Sequence, residues 1–275
     1  MASPQKPKAW NLSPQMTAAP ELWRGGAVLY PNWCNGPIRP IGGDSSVKNH
    51  TLALKSNPGY QLVPKGGAFY FDRVNGSNGD GAQAEPVSKV PFPTGKTGES
   101  LIIHTFFRMA NASPDDLDVL TVFGCNPSSG NNGDGFWLRM EKYNAKPGDT
   151  YQPYLRTFGS NNGGDLTQSS VVTGGEDHLV SVAWDVGQGY DVYVDGKLAT
   201  TTVNSDAGSK SSTYSIEMGS SSDGAGNFNH GGRQPFDGWI YYAYVRSQKN
   251  ARNNIANEAK WLYSDPFAML RPAGF

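Results

Sequence analysis

The residues able to do chemistry are few and scattered. His50, His104, His178 and His230 include no pair at i, i+3 or i+4, so the sequence holds no local pair of metal ligands. His178 follows Glu176 and Asp177 where a strand begins, which predicts an exposed turn rather than a catalytic dyad. Asp191 and Asp195 share a strand face, but Asp195 opens an Asp-Gly pair and belongs to a turn. Asp116 and Asp118 share a face beside Asp115; they read as a solvated strand start, with a calcium site as the alternative. Cys34 and Cys125 fit no zinc spacing and are expected as two reduced thiols, with a disulfide as the alternative. No Gly-x-Ser-x-Gly elbow and no phosphate-binding loop is present. No metal or other cofactor is expected.

Aromatic side chains offer the other chemistry. Trp137 alternates with Phe136, Leu138 and Met140 and stands next to Arg139; Tyr242 and Tyr244 fall on the face opposite Trp239. A sugar ring or a protein partner can stack on such residues, and a covered sheet face would bury them instead.

These residues sit on short apolar runs between turn clusters. Clean alternation over 101–109 puts Leu101, Ile103, Thr105, Phe107 and Met109 on one face and His104 and Arg108 on the other. Further strands are expected at 25–30, 68–72, 117–123, 136–140, 151–158, 179–184, 190–194, 197–203, 215–218 and 239–245. Asp195-Gly196 predicts a tight hairpin turn, because both central residues of a type I′ turn take positive φ. One helix is expected over 253–263, where Ile255, Ala259 and Leu262 form a narrow apolar stripe and Asp265-Pro266 ends it. About a dozen strands without a composition break predict a single all-β domain, an antiparallel β-sandwich with a short C-terminal helix.

Composition agrees. Gly (34) and Pro (19) are abundant, charged residues are 17%, and Phe, Tyr and Trp number 12, 13 and 7. That mixture suits strands and turns and excludes a helical bundle or a disordered chain. A net charge of −1 without a basic cluster argues against nucleic acid as partner. No apolar run is long enough for a membrane helix. The first 20 residues hold Pro4, Pro7, Pro14 and Pro20 and no apolar core, so no secretory signal is expected.

Several islands resemble a known group. Val182-Ala183-Trp184-Asp185 with Val192-Tyr193-Val194-Asp195-Gly196-Lys197 resembles the central hairpin of concanavalin A-like, laminin-G-like domains. Gly67-Ala68-Phe69-Tyr70-Phe71-Asp72 resembles an early strand of that group, and Phe236-Asp237-Gly238-Trp239-Ile240 its late "F-x-G-x-I" strand. The stretch from Trp261-Leu262-Tyr263 through Pro266-Phe267-Ala268-Met269-Leu270 is similar to the C-terminal tails of laminin-G-like proteins of tailed bacteriophages. Where many members carry acidic residues after "F-x-G-x-I", Tyr241, Tyr242 and Ala243 stand here, which weakens an inherited metal role. Glycoside hydrolases resembling laminarinases carry Glu-x-Asp-x-x-Glu on one strand of this fold, and no such array occurs.

The resemblance implies a concanavalin A-like sandwich over 21–263 with a tail at 264–275, and the prolines mark an arm at 1–20. It implies a phage virion setting; together with the missing catalytic carboxylates and an arm suited to docking, it predicts a non-enzymatic virion protein, foremost a head decoration or cement protein, made in the host cytoplasm and carried on the virion surface. Its partners would be the major capsid or other virion proteins and further copies of itself. Trp10, Leu12 and Met16 of the arm and Phe267, Met269 and Leu270 of the tail are the candidate docking residues. The alternative is a lectin-like module on a tail or fibre that contacts host glycans through Trp137, Tyr242 and Tyr244; a glycoside hydrolase is the weaker one.

Overall fold

A computed structural model describes residues 26–31, 42–44, 51–55, 59–63, 66–71, 81–85, 100–110, 119–126, 136–142, 150–157, 172–185, 188–202, 215–219 and 236–266. The arm with Trp10, Leu12 and Met16, the tail residues Phe267, Met269 and Leu270, the carboxylates Asp115, Asp116 and Asp118, and Cys34, His50 and His230 lie outside them.

Two antiparallel sheets face each other. The first joins, in spatial order, β14 (Lys197–Thr202), β13 (Gly189–Val194), β12 (Asp177–Asp185), β7 (Ser100–Met109), β16 (Gly238–Ser247), β1 (Gly26–Pro31) and β2 (Gly42–Asp44). β5 (Gly66–Phe71) also pairs with β16 and carries β4 (Gly59–Val63) beyond it. The second sheet runs β11 (Val172–Thr173), β10 (Thr150–Thr157), β9 (Phe136–Lys142), β8 (Val119–Asn126), β15 (Ser215–Met218), β6 (Gly81–Glu85) and β3 (Thr51–Lys55). The chain is an antiparallel β-sandwich with a C-terminal helix, α1 (Ala251–Ser264).

The inter-sheet core follows from period-two patterning. Leu101, Ile103, Phe107 and Met109 of β7 and Val180, Val182 and Trp184 of β12 meet Val122, Phe123, Leu138 and Leu155 from the other sheet. The residues between them are buried as well, because α1 covers the far side of β7 and β12. Its Ala251, Ile255 and Ala259 pack on Ile102, Ala183 and Tyr193, and Leu262 packs with Phe106, Leu179 and Tyr242. The helix is three residues longer than expected, two of them at its start, and its predicted stripe is the buried one.

The start of α1 shows why "V-x-W-D" ends in an acid. Asn250 enters the helix in a left-handed conformation without a side-chain cap. The carboxylate of Asp185, across on β12, accepts from the Ala251 N–H at 3.0 Å and caps the helix from outside. Arg252 then reaches Asp191 on β13 at 3.0 Å.

One register shift corrects the expected faces of β16. A bulge between Ile240 and Tyr242 inserts an extra residue. Ile240, Ala243 and Val245 face the inter-sheet core, whereas Trp239, Tyr241, Tyr242 and Tyr244 share the other side. Tyr242 and Tyr244 therefore lie on the Trp239 face, not opposite it. Both are 0% exposed, so neither ring is open to a sugar.

Asp195 (φ 50) and Gly196 (φ 75) make the expected turn between β13 and β14. The Asp195 N–H donates to the Leu179 carbonyl and its carboxylate accepts from the Leu179 N–H, which ties the turn back to β12. A Cβ on Gly196 would lie 3.2 Å from both Lys260 Cα and Tyr263 Cβ, so the turn also presses on α1. Gly196→Val should destabilise the domain by about 2 kcal/mol or more, combining left-handed strain with that contact. Thermal and denaturant unfolding test this, and an unchanged melting temperature would contradict it.

Candidate functional site

The outer face of the second sheet gathers polar and aromatic positions that are far apart in sequence. β9 and β10 pair so that Trp137 is opposite Arg156, Arg139 opposite Tyr154 and Glu141 opposite Gln152. These alternate with Leu138, Met140, Pro153 and Leu155, all buried towards the core side. Period-two alternation places the three pairs on the opposite face of the sheet, where Arg139 is buried at 4% exposure and Gln152 is half-buried. On β8, Gly124 is opposite Trp137 and Thr121 opposite Arg139, which extends the face to a third strand. The residue types, Trp and Tyr with two Arg, Gln, Glu and Thr, are those that hold a hydroxylated ring by stacking and hydrogen bonds. Glu141 is the one carboxylate among the three pairs, where cleavage of a glycosidic bond ordinarily uses two.

Of this array the sequence pattern singled out Trp137 and its neighbour Arg139. Tyr154 and Arg156 were missed because only the register brings them alongside. The signal available was the alternation of Gln152, Tyr154 and Arg156 with Tyr151, Pro153 and Leu155.

A second cluster has the outward form of catalytic machinery. Ser181 on β12, His104 on β7 and Glu258 on α1 form a chain, with His104 Nδ1 2.8 Å from Ser181 Oγ and Nε2 2.7 Å from Glu258 Oε1. Arg246 on β16 holds the same carboxylate through two N–H donors at 2.8 and 2.7 Å. Ser181 is 1% and His104 0% exposed, beneath the helix. A hydroxyl sealed in this way cannot meet a substrate, so geometry makes the cluster a clamp for α1. Burial pushes the Glu258 carboxyl up, but the bonds and charges of His104 and Arg246 outweigh it and hold it below the usual range. Tyr244 stacks on the His104 ring at 5.9 Å, and burial pushes its hydroxyl well up.

His178 is also not the exposed turn residue expected. It is 6% exposed, its Nδ1 lies 2.9 Å from Asp195 Oδ2, and its Nε2 accepts from the Thr173 N–H. The pair thus joins β11 and β12 to the Asp195 turn. The strand start is exposed at Glu176 alone, and Glu176 accepts from the Thr173 hydroxyl.

No family model and no curated protein sequence matches the chain. Solved structures do match in fold. The binding domain of botulinum neurotoxin serotype G is similar at a TM-score of 0.50 and 12% identity, over 86% of this chain and 50% of that one. The binding domain of botulinum neurotoxin DC, in complex with rat synaptotagmin II, is similar at 0.52 and 14%, over 86% and 50%. A structure of botulinum neurotoxin type C, concerned with its interaction with two ganglioside molecules, is similar at 0.52 and 13%, over 88% and 52%. The chain spans about half the length of these neighbours. At such identities the likeness establishes the β-sandwich fold.

The clamp predicts an acid limit to stability. Because the folded pKa of Glu258 is lowered, its contribution is complete above the ordinary carboxylate pKa, about 4.3, and is lost as pH falls through the folded value. Glu258→Gln leaves Arg246 buried without its counter-charge and should cost about 3–5 kcal/mol at neutral pH. The difference between wild type and variant should shrink below about pH 4. Equal stabilities at pH 7 would contradict the clamp.

Proposed function

We propose that the chain is a non-catalytic carbohydrate-binding module, a β-sandwich of the concanavalin A-like, laminin-G-like kind. The observation that carries this is the array Trp137–Arg156, Arg139–Tyr154 and Glu141–Gln152 on one sheet face. An aromatic ring beside a guanidinium and an amide suits a sugar's apolar ring face and its hydroxyl edge, a part that buried Arg139 does not take. The fold likeness to toxin binding domains, one of them studied for its interaction with gangliosides, supports the same class of ligand. Four carboxylates of the described sandwich have structural work, which fits a non-catalytic module: Asp185 caps α1, Asp191 holds Arg252, Asp195 shapes a turn and Glu258 clamps the helix.

A virion setting stands second. It is carried by the resemblance of the C-terminal motif to phage laminin-G-like proteins, with docking assigned to Trp10, Leu12, Met16, Phe267, Met269 and Leu270. A glycan-binding protein on a phage particle would unite the two.

Screening the protein on a glycan array, then titrating the best ligand, tests the proposal. Trp137→Ala should weaken binding about tenfold, equivalent to the ~1.4 kcal/mol of a lost stacking contact. Absence of any bound glycan, or unchanged affinity in Trp137→Ala, would overturn it. Release of reducing sugar that disappears in Glu141→Gln would overturn its non-catalytic part.

A further inference from the structure

Helix α1 is a weak helix on a thin apolar stripe. Its buried residues are Ala251, Ile255, Ala259 and Leu262, and two of these four are alanine. Its first turn holds no acidic residue, and Asn253, Asn254 and Asn257 are poor helix formers. Carboxylates therefore carry much of its attachment. Asp185 accepts from the Ala251 N–H and Asp191 from Arg252, so both tie the first turn alone. Glu258 ties the body of the helix, through His104 of β7 and Arg246 of β16.

The strands beneath do not need the helix for their pairing. β7 has β12 and β16 as ladder partners along its length, and its Leu101, Ile103, Phe107 and Met109 lie between the sheets. The helix covers the other face, where Leu262 packs with Phe106, Leu179, Tyr242 and Tyr244.

We infer that α1 is an acid-released cover: protonation of Glu258 frees the helix beyond its first turn, while the sandwich stays folded with an aromatic face uncovered. From β7 Glu258 meets His104, which is bonded in turn to Ser181 of β12. From β16 it meets Arg246, with the hydroxyls of Tyr242 and Tyr244 near enough to feel its charge. Burial pushes both hydroxyls well up, so neither tyrosine carries charge in acid. Once Glu258 is neutral, the Arg246 guanidinium, 7% exposed at its side chain, keeps its charge and loses its counter-ion. Swinging the helix away returns that cation to water. The first turn, held by Asp185 and Asp191, is the pivot. The bonds of His104 and the charge of Arg246 hold the Glu258 carboxyl below its ordinary range, so the tie is complete above about pH 4.3 and is lost as pH falls through the lower, folded value.

Hydrogen exchange of the full chain, read by mass spectrometry as protection factors between pH 7 and pH 3, tests this. Below about pH 4 the amides of 256–264 should lose protection about tenfold or more, while those of 101–109 and 179–184 keep theirs. Glu258→Gln should show the same local loss already at pH 7 and little further change in acid. The dye ANS, as a probe of uncovered apolar surface, should bind wild type in acid and Glu258→Gln at pH 7. Helix protection retained in wild type at pH 3 would overturn the inference. So would helix and strands losing protection together, in acid or in Glu258→Gln, because that is unfolding rather than release. Glu258→Gln matching wild type at pH 7 would overturn it as well.

Discussion

The structure depends on one constraint: strand β7 must be buried on both faces. Its odd-numbered residues fill the space between the sheets. Its even-numbered ones, Ile102, His104 and Phe106, need a cover of their own. A β-sandwich sheet normally turns such a face to water. Here α1 supplies the cover, and the ion pairs of Glu258 and Arg252 hold that helix in place. The polar residue in the middle of the covered face, His104, would be costly to bury unpaired; the Ser181 and Glu258 contacts remove that cost.

The pairing of β9 with β10 works by the same alternation, which separates a polar and aromatic row from the core. A strand with one face committed to packing has its other face free to carry chemistry, and neighbouring strands bring distant residues into register.

Much of this was legible in the sequence. The alternation from Leu101 to Met109, the Asp195-Gly196 turn and the Ile255, Ala259, Leu262 stripe are local patterns, and each has its expected place. The short strands β2, β3, β4, β6 and β11 were missed, because segments such as Gly81–Glu85 carry little β-branched or aromatic content and are recruited by pairing. The faces of Tyr242 and Tyr244 were misassigned because a bulge is invisible to a period-two count. His178 was misjudged because its partner, Asp195, is a turn residue whose carboxylate points back onto β12. Of the Trp137 array, one strand was readable and the pairing strand was not. No local pattern encodes which residue of β10 stands opposite which residue of β9.

The cap at the start of α1 has a kinetic consequence. Asn250 gives the helix no side-chain cap, and the carboxylate that does so belongs to Asp185, 66 residues earlier in the chain. An isolated helix of 14 residues is marginal in water even when well capped. This one acquires its cap only after β12 has found its place in the sheet. Closing so long a loop carries an entropic penalty before any contact rewards it. The helix therefore becomes ordered late and closes over a sheet that has already formed. Until then the aromatic face of β7 and β16 is exposed, and a chain at that stage has its greatest need of protection from aggregation.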